Sequence, residues 1–305
     1  MSYRKKNKSK HALVVEGGAM RGVFSAGVLA AFGRESFDPF DLYIGVSAGA
    51  CNLASHLAQQ NDRNMDIVTR YSSSSRFINY FRFLRGGHLM DLDWLWDVTI
   101  SEYRLDLQTL FRYLKKNRKD YFITVTSMKT GKPLYLRPDE RTLEDYLKVS
   151  SSVPILYRGR LDVDGEPATD GGVADSIPVR EARRRGAELI TVIRSRPEGY
   201  IKKGGENNPL YTLLFRKYPE FTDALNNRAN DYMESIEFIK NPPPGIQVHD
   251  IAPPPDLGVS RTTRNKEVLR KAYETGLEYG YKYMEQYKKS INIRVNPRLS
   301  SVAGG

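Results

Sequence analysis

The chain begins with two short apolar runs, each of which ends at a glycine-rich turn and is followed by a helical pattern. The first run covers residues 11–15 (HALVV) and the second covers residues 41–46 (DLYIGV). Apolar runs of this length are typical of strands that are buried on both faces, as in parallel sheets covered by helices. Since parallel strands need a crossover connection, the alternation predicts βα units. We therefore expect an α/β fold with three α/β/α layers and a mainly parallel central sheet.

The same alternation of strand and helix patterns continues along the chain. Further strands are predicted over residues 121–126, 133–136, 188–193 and 246–251. Helices are predicted over residues 21–32, 47–60, 142–151, 209–239 and 265–289. The proline-rich segments on either side of the last strand predict surface loops, because proline neither continues a helix nor donates to a sheet ladder.

Composition excludes several classes of protein. Of 305 residues, 40% are apolar and 27% are charged, which is typical of a globular chain and not of a disordered or collagen-like one. The sequence contains no apolar run long enough to span a membrane and no signal-peptide pattern. Cys51 is the single cysteine, so it forms no internal disulfide and contributes to no zinc cluster. We expect no metal, a reducing compartment and a cytoplasmic location, with peripheral contact to a membrane as an option.

A serine lies at the turn that follows the second predicted strand. Gly45-Val46-Ser47-Ala48-Gly49 matches the G-x-S-x-G pattern, in which a serine occupies a sharp turn between a strand and a helix. The motif glycines Gly45 and Gly49 are expected because side chains there would clash with neighbouring backbone. The pattern predicts an exposed nucleophilic serine at a helix N-terminus, where a developing negative charge is favoured.

The turn after the first strand, residues 16–22 (EGGAMRG), is rich in small residues and leads into a helix. This pattern presents backbone N–H groups to an anion. It matches neither a dinucleotide fingerprint nor a phosphate-binding P-loop, because the required glycines and lysine are missing. Since the loops after parallel strands open on the same sheet edge, we expect the N–H groups of Gly17, Gly18 and Ala19 to form an oxyanion hole facing Ser47.

A third motif, Asp170-Gly171-Gly172, supplies a carboxylate. An aspartate before two glycines is also typical of an ordinary hairpin turn. Together with the other two motifs, however, it offers a base that can accept the serine proton, provided that the carboxylate is shielded and its pKa is high enough.

In this order the three motifs resemble those of the patatin-like lipid acyl hydrolases, in particular their bacterial branch. The segment Ser150-Ser151-Ser152-Val153-Pro154 is similar to that family as well, and together the motifs cover most of residues 11–195. The resemblance implies a phospholipase, lysophospholipase or esterase without a cofactor. In it Ser47 is the nucleophile and Asp170 the base, and Arg21 and Gly22 support the oxyanion loop. The chain departs from the plant-type pattern at Glu16 and Ala19.

The resemblance also implies a division of the chain. We expect a basic flexible tail over residues 1–10, a catalytic domain over residues 11–260, a helical extension packed on it over residues 261–293, and a flexible tail over residues 294–305. The implied partner is a lipid or another acyl ester.

Two other functions remain open from the residues alone. Ser47, Asp170 and His249 follow the chain order of an α/β-hydrolase triad, although Ser47 follows only the second strand and His249 lies within a strand pattern. Alternatively, the protein is a non-catalytic binding protein that uses its basic residues on a membrane or a nucleic acid, but no nucleic-acid-binding signature is present. We expect no nucleic-acid partner.

Two segments invite a functional interpretation. The net charge is +11, with a basic N-terminus and a second basic cluster at residues 180–185 that can attract anionic lipid or be merely solvated. Residues 77–96 are dense in aromatic and apolar side chains, which predicts either a lid or wall for an acyl chain or ordinary helix packing.

Overall fold

The two apolar runs at the start of the chain form adjacent parallel strands at the centre of an eight-stranded sheet. The protein is described here by a computed structural model that covers residues 10–204 and 208–295. The strands are β1 (Lys10–Val15), β2 (Leu42–Val46), β3 (Asp120–Ser127), β4 (Pro133–Leu136), β5 (Leu161–Val163), β6 (Glu166–Asp170), β7 (Ala187–Ile193) and β8 (Gln247–Ile251).

The order across the sheet is β5-β6-β3-β2-β1-β7-β8, and β4 also pairs with β3. The neighbouring strands β3, β2, β1, β7 and β8 pair in parallel, whereas β4, β5 and β6 join the sheet by antiparallel pairing. The central sheet is therefore mainly parallel, as the sequence predicts. This arrangement brings the loops after β1 and β2 to the same edge.

Helices cover both faces of the sheet. They are α1 (Gly22–Arg34), α2 (Ala48–Leu57), α3 (Arg63–Ile67), α4 (Tyr80–Leu84), α5 (Leu92–Glu102), α6 (Leu107–Asn117), α7 (Leu143–Ser150), α8 (Val179–Arg184), α9 (Pro209–Leu214), α10 (Pro219–Lys240) and α11 (Lys266–Val295). A 3₁₀ turn (Ala19–Arg21) precedes α1, and a π-helical turn (Val68–Ser72) follows α3.

The period of two along β1 distributes its side chains between the two layers of helices. Leu13 and Val15 pack in the cluster that contains α1 and α2, whereas Ala12 and Val14 pack with α8 and α10. All four are fully buried. Because both faces of the strand are covered, the run is continuously apolar, and the three-layer α/β/α fold is confirmed.

The structure differs from the sequence prediction in several elements, since no helix bounds were predicted between residues 61 and 120, where α3, α4, α5 and α6 lie. The predicted helix over residues 209–239 is wrong as a single helix, because α9 and α10 are separated at residues 215–218. Pro219 begins α10, and the residue before a proline is disfavoured in helical conformation. The hairpin of β5 and β6 was not predicted, since its strands are short and half polar.

The remaining boundaries shift by a few residues. The serine-bearing helix begins at Ala48 rather than at residue 47 and ends at Leu57, and α11 extends to Val295. Most of the two predicted tails lies outside the described residues, but Lys10 belongs to β1 and residues 294–295 belong to α11.

Candidate functional site

Ser47 occupies a strained turn between β2 and α2. Its backbone angles are φ 53° and ψ −127°, which are unusual for a residue with a side chain. A Cβ on Gly45 would lie 2.5 Å from the Cα of Ala50, and a Cβ on Gly49 would lie 2.4 Å from the carbonyl oxygen of Val15. The two motif glycines are thus required by close backbone approach, and the strain at Ser47 is typical of a functional turn.

A buried serine from another element supports this turn. The Ser47 N–H donates to the Oγ of Ser150 at 2.8 Å, and the Ser150 hydroxyl donates to the carbonyl oxygen of Thr124 on β3 at 2.7 Å. Ser150 is the last residue of α7 and is completely buried. In the sequence, this serine-rich segment is notable only for its resemblance to the patatin-like family, and no role is predicted for Ser150.

Asp170 ends β6 and is 6% exposed. Its Oδ1 accepts a hydrogen bond from the Gly172 N–H at 2.7 Å, whereas Oδ2 is buried and has no hydrogen bond within the described part of the chain. A Cβ on Gly171 would lie 2.2 Å from the carbonyl oxygen of Thr124, so this glycine allows β6 to turn against β3. Thr126 donates to the Asp170 carbonyl oxygen at 2.9 Å and fixes the same turn.

The electrostatic environment of Asp170 favours a base. Burial raises the pKa of its carboxyl group, and the Ser47 side chain, the Gly172 N–H and two arginines act in the opposite direction. Ser47 therefore lies close enough to favour the carboxylate, although the two side chains do not meet the geometry of a hydrogen bond. Such contacts are often loose before substrate binds.

The glycine loop lies directly against Ser47. A Cβ on Gly17 would lie 2.9 Å from the Cβ of Ser47, and one on Gly18 would lie 2.7 Å from the Oγ of Ser195. The N–H groups of Gly17, Gly18 and Ala19 donate no hydrogen bond to the residues that the structure describes. Three N–H groups beside Ser47 therefore have no partner among the described residues, and their role as an oxyanion hole stays a prediction.

Ala19 has a positive φ of 50°. This is the position at which the chain departs from the glycine of the plant-type pattern, and a left-handed conformation costs a residue with a Cβ about 1–2 kcal/mol. The loop therefore tolerates alanine at a cost in stability.

Buried charged side chains, Glu16 and Arg21, belong to the loop on either side of its small residues. Glu16 is 3% exposed, and its carboxylate accepts from the Ser195 N–H at 2.7 Å; burial raises the pKa of this carboxyl group. Arg21 is 6% exposed, and burial lowers its pKa to about 10. Gly22 brings α1 against α2, since a Cβ there would lie 2.8 Å from the Cβ of Ala48.

An apolar chamber opens on one side of Ser47. Its cavity volume is about 160 Å³, and Phe77, Met90, Leu92, Leu95 and Trp96 form one wall. All five belong to residues 77–96, the segment that is dense in aromatic and apolar side chains, so this segment contributes a wall to the chamber. Its size and lining suit a hydrocarbon chain.

A cationic cleft opens on the other side of Ser47 and Asp170. It contains the side chains of Arg21, Arg196, Lys202, Arg228 and Arg261. Sequence reasoning missed this cluster, because its members are spread over more than two hundred residues and form no local pattern. By contrast, the cluster at residues 180–185 is largely ion-paired: Arg180 pairs with Glu234, and Arg184 and Arg185 pair with Glu181.

The structure does not bring His249 to Ser47. His249 lies on β8, three strands away from β2, and contacts the hydroxyl of Tyr283 at 3.1 Å. It is absent from the walls of both cavities at Ser47. The Ser47–Asp170–His249 triad is therefore wrong as an interpretation.

Two features are absent from the residues that the structure describes. None of their His, Cys, Asp and Glu side chains form a group of three or more that could hold a metal ion. Among the same residues, no helix is long and apolar enough to cross a membrane.

The fold and the site define an α/β protein with a strained serine facing a buried aspartate. Residues 13–183 match the family model described as patatin-like phospholipase, and the chain belongs to this family. Residues 218–292 match a domain of unknown function, DUF6363. Membership of the family supports lipid hydrolase activity in general terms.

Comparison with individual proteins gives further similarities. The chain is 34% identical over 277 residues to the uncharacterized protein YjjU of Escherichia coli, covering 90% of this chain and 77% of that protein. Among solved structures it is similar to VipD from Legionella pneumophila, with a TM-score of 0.43 and 13% identity over 92% of this chain and 67% of that one. It is also similar to human GIVD cytosolic phospholipase A2, with a TM-score of 0.48 and 10% identity over 92% of this chain and 59% of that one.

Proposed function

We propose that the protein hydrolyses acyl esters of lipids through a dyad of Ser47 and Asp170 and an acyl-enzyme. The observation that carries the proposal is the pairing of a strained serine with a buried carboxylate whose Oδ2 has no hydrogen bond among the described residues. The apolar chamber beside the serine supports a fatty acyl chain as the group that is transferred.

In the first half-reaction the Ser47 Oγ attacks the ester carbonyl carbon while Asp170 accepts the hydroxyl proton. The N–H groups of Gly17, Gly18 and Ala19 stabilise the negative charge on the carbonyl oxygen. The intermediate then collapses, the bond to the alcohol oxygen breaks, and Asp170 returns the proton to that oxygen.

In the second half-reaction water attacks the acyl-enzyme. Asp170 accepts a proton from the water, and the ester bond to Ser47 breaks as the fatty acid leaves. Ser47 then regains its proton from Asp170. No step requires a metal or a cofactor.

A fluorophosphonate probe tests this proposal. We expect the probe to label Ser47, as located by peptide mapping, and Asp170→Asn to reduce the labelling rate at least a hundredfold. His249→Ala is the matched control and is expected to label at the wild-type rate. Absence of labelling in the folded wild type would favour the non-catalytic binding protein, and loss of labelling in the His249 variant would contradict the dyad.

We further propose a cytoplasmic protein that contacts an anionic membrane surface. Two short helices at the mouth of the cationic cleft expose apolar side chains: Leu84 on α4 is 83% exposed and Leu213 on α9 is 68% exposed. Both helices contact the mouth of the cleft. The hydroxyl of Tyr80 on α4 donates to the hydroxyl of Thr262, which lines the mouth, and Tyr211 on α9 lines it as well. Exposed basic residues follow both helices, so the mouth of the cleft suits a negatively charged lipid surface.

Vesicle binding tests this contact. We expect the wild type to bind anionic vesicles more tightly than neutral ones, with an advantage that decreases as salt increases. The double variant Leu84→Ser/Leu213→Ser is expected to lose most of the binding while it retains the labelling of Ser47. Equal binding to both vesicles at all salt concentrations would refute the proposal.

The division of the chain remains a proposal too. We propose that residues 11–260 form the catalytic domain and residues 261–293 a helical extension, supported by the packing of α11 on α1. Limited proteolysis followed by mass spectrometry tests this division: cleavage is expected first in the exposed segment of residues 264–267, next to the boundary between the two parts, and earlier cleavage within residues 11–260 would contradict it.

A further inference from the structure

The cationic cleft is a concentration of positive charge at the candidate site itself. Five cations line it together with Ser47 and Asp170. Arg21 is buried, and the other four side chains are partly buried. Two carboxyl groups, those of Glu16 and Asp170, lie in the same cleft, so the positive charges exceed the negative ones.

None of the five cations forms an ion pair with any residue that the structure describes. The Nε atoms of Arg21 and Arg228 are buried and have no hydrogen bond there. The neighbouring Arg194 shows the usual alternative, since its guanidinium forms two hydrogen bonds with Asp250 at 2.6 and 2.8 Å. Burying a guanidinium Nε without a hydrogen-bond partner is costly, which indicates that an anion completes the cleft.

The position of the cleft identifies which part of a substrate the anion belongs to. Ser47, Ala19 and Val153 line both the apolar chamber and the cationic cleft, so the two cavities meet at the serine. With the acyl chain in the chamber, the ester carbonyl lies at Ser47 and the alcohol portion of the ester extends into the cleft. The anionic group is therefore carried by the leaving alcohol.

On the basis of the proposed function, we propose that the cationic cleft binds a phosphate monoester on the alcohol portion of the lipid ester. A phosphate monoester carries about −1.5 to −2 charges at neutral pH and offers three acceptor oxygens. Arginine guanidinium groups bind such oxygens with two hydrogen bonds each. A phosphocholine or phosphoethanolamine group would instead bring a positive charge among these cations.

The pKa of Lys202 agrees with this excess of positive charge. Burial, together with the positive charges of Arg228, Arg261 and Arg196, lowers the pKa of Lys202 to about 7, while Glu16 acts in the opposite direction. The arginines thus add to the effect of burial and disfavour the charged form of the lysine. A bound dianion would relieve this repulsion.

Four of the five cations lie outside residues 13–183, the patatin-like region, and two of these four belong to the second matched region. Arg228 lies on α10 and Arg261 precedes α11, and both fall in residues 218–292, which match a domain of unknown function. Arg228 also donates to the carbonyl oxygen of Gly172 at 3.4 Å and so lies beside the aspartate motif. The proposal thus gives this C-terminal region a role in substrate selection.

Soluble substrates with one acyl chain test the proposal without a membrane. We would measure kcat/KM for 1-octanoylglycerol 3-phosphate, 1-octanoylglycerol-3-phosphocholine and 1-octanoylglycerol, all kept below their micelle concentrations. The phosphate monoester is expected to be preferred at least tenfold over both others. Arg228→Gln and Arg261→Gln are each expected to reduce that preference about tenfold, since each removes a charged hydrogen-bond donor.

Arg228→Lys, which keeps the charge, is expected to retain most of the preference. Arg183→Gln, at an exposed position of α8, is the matched control and is expected to show wild-type kinetics. The labelling of Ser47 by fluorophosphonate is followed in every variant, so that loss of the dyad is distinguished from loss of selectivity. Equal kcat/KM for the three esters, with Ser47 still labelled, would overturn the proposal. Inhibition by inorganic phosphate without any preference for the phosphorylated ester would also overturn it, because the cleft would then bind free phosphate.

Discussion

Two non-glycine residues with positive φ, Ser47 and Ala19, line both the apolar chamber and the cationic cleft. Strain at Ser47 exposes its hydroxyl group, whereas strain at Ala19 has no such evident use. We expect Ala19→Gly to raise the free energy of unfolding by about 1 kcal/mol, because glycine adopts a positive φ without a steric penalty. Urea denaturation measures this change.

The matched control for Ala19 is Ala224→Gly in the interior of α10, where glycine is expected to lower the free energy of unfolding by about 0.5–1 kcal/mol. Destabilisation by both substitutions would show that Ala19 is not strained.

Ser150 is a positioning residue that acts through the backbone of Ser47. Ser150→Ala would leave a buried N–H and a buried carbonyl oxygen without partners, so we expect a loss of about 1–3 kcal/mol in the free energy of unfolding. Because the nucleophile would then be held less accurately, kcat should fall tenfold or more while KM changes little. Ser151→Ala, a partly buried neighbour, is the control; equal loss of kcat in both variants would contradict the assignment.

The pH dependence of kcat/KM follows from the surroundings of Asp170. The base must be ionised, and burial raises its pKa, so activity should fall as pH decreases through a value above that of an ordinary aspartate. Arg228 favours the carboxylate, and Arg228→Gln should therefore shift this decline to higher pH. The measurement uses a neutral ester, with Arg183→Gln as the control; a shift to lower pH would refute the role of Asp170 as base.

At the scale of single residues, the sequence predicted those residues that belong to short motifs. The glycines around Ser47, Asp170 and the first loop form short motifs, because each turn requires small residues at fixed spacing. The cations of the cleft come from distant segments that meet only in the folded chain, and no periodicity or spacing marks them.

At the scale of the elements, α11 packs on α1 through facing glycines. A Cβ on Gly276 would lie 2.2 Å from the carbonyl oxygen of Phe24, and one on Gly27 would lie 2.1 Å from that of Tyr273. Gly276→Ala should therefore push the helices apart and lower the free energy of unfolding by about 1–3 kcal/mol. Glu274→Ala on the exposed face of α11 is expected to change it by less than about 0.5 kcal/mol, and thermal or urea unfolding compares the two.

The predicted elements show why some parts of a fold can be read from sequence. The buried strands β1, β2, β3 and β7 were predicted because a continuous apolar run has few alternative structures. The hairpin of β5 and β6 was missed because its alternation is weak, and the break before Pro219 was missed because the helical pattern on either side is strong.

At the scale of the whole molecule, a buried polar network joins the central sheet to α11. His11 on β1 is 4% exposed, its Nε2 lies 2.8 Å from the Thr191 hydroxyl, and that hydroxyl lies 2.7 Å from the hydroxyl of Tyr283 on α11. Burial, together with the neighbouring His249 and Lys119, lowers the pKa of His11 to about 3. The folded protein therefore holds His11 neutral over a range in which the unfolded chain protonates it.

Between pH 6.5 and about 3 the unfolded state binds the additional proton, so the free energy of unfolding must decrease as pH falls through this window. The shift corresponds to at most about 5 kcal/mol, at about 1.4 kcal/mol for each pKa unit. We expect His11→Gln, which keeps a hydrogen-bonding side chain but does not titrate, to show a shallower decrease in urea unfolding experiments over this range. Because the other titrating groups are shared, the difference between the two curves isolates His11, and parallel curves would show that its protonation does not control acid stability.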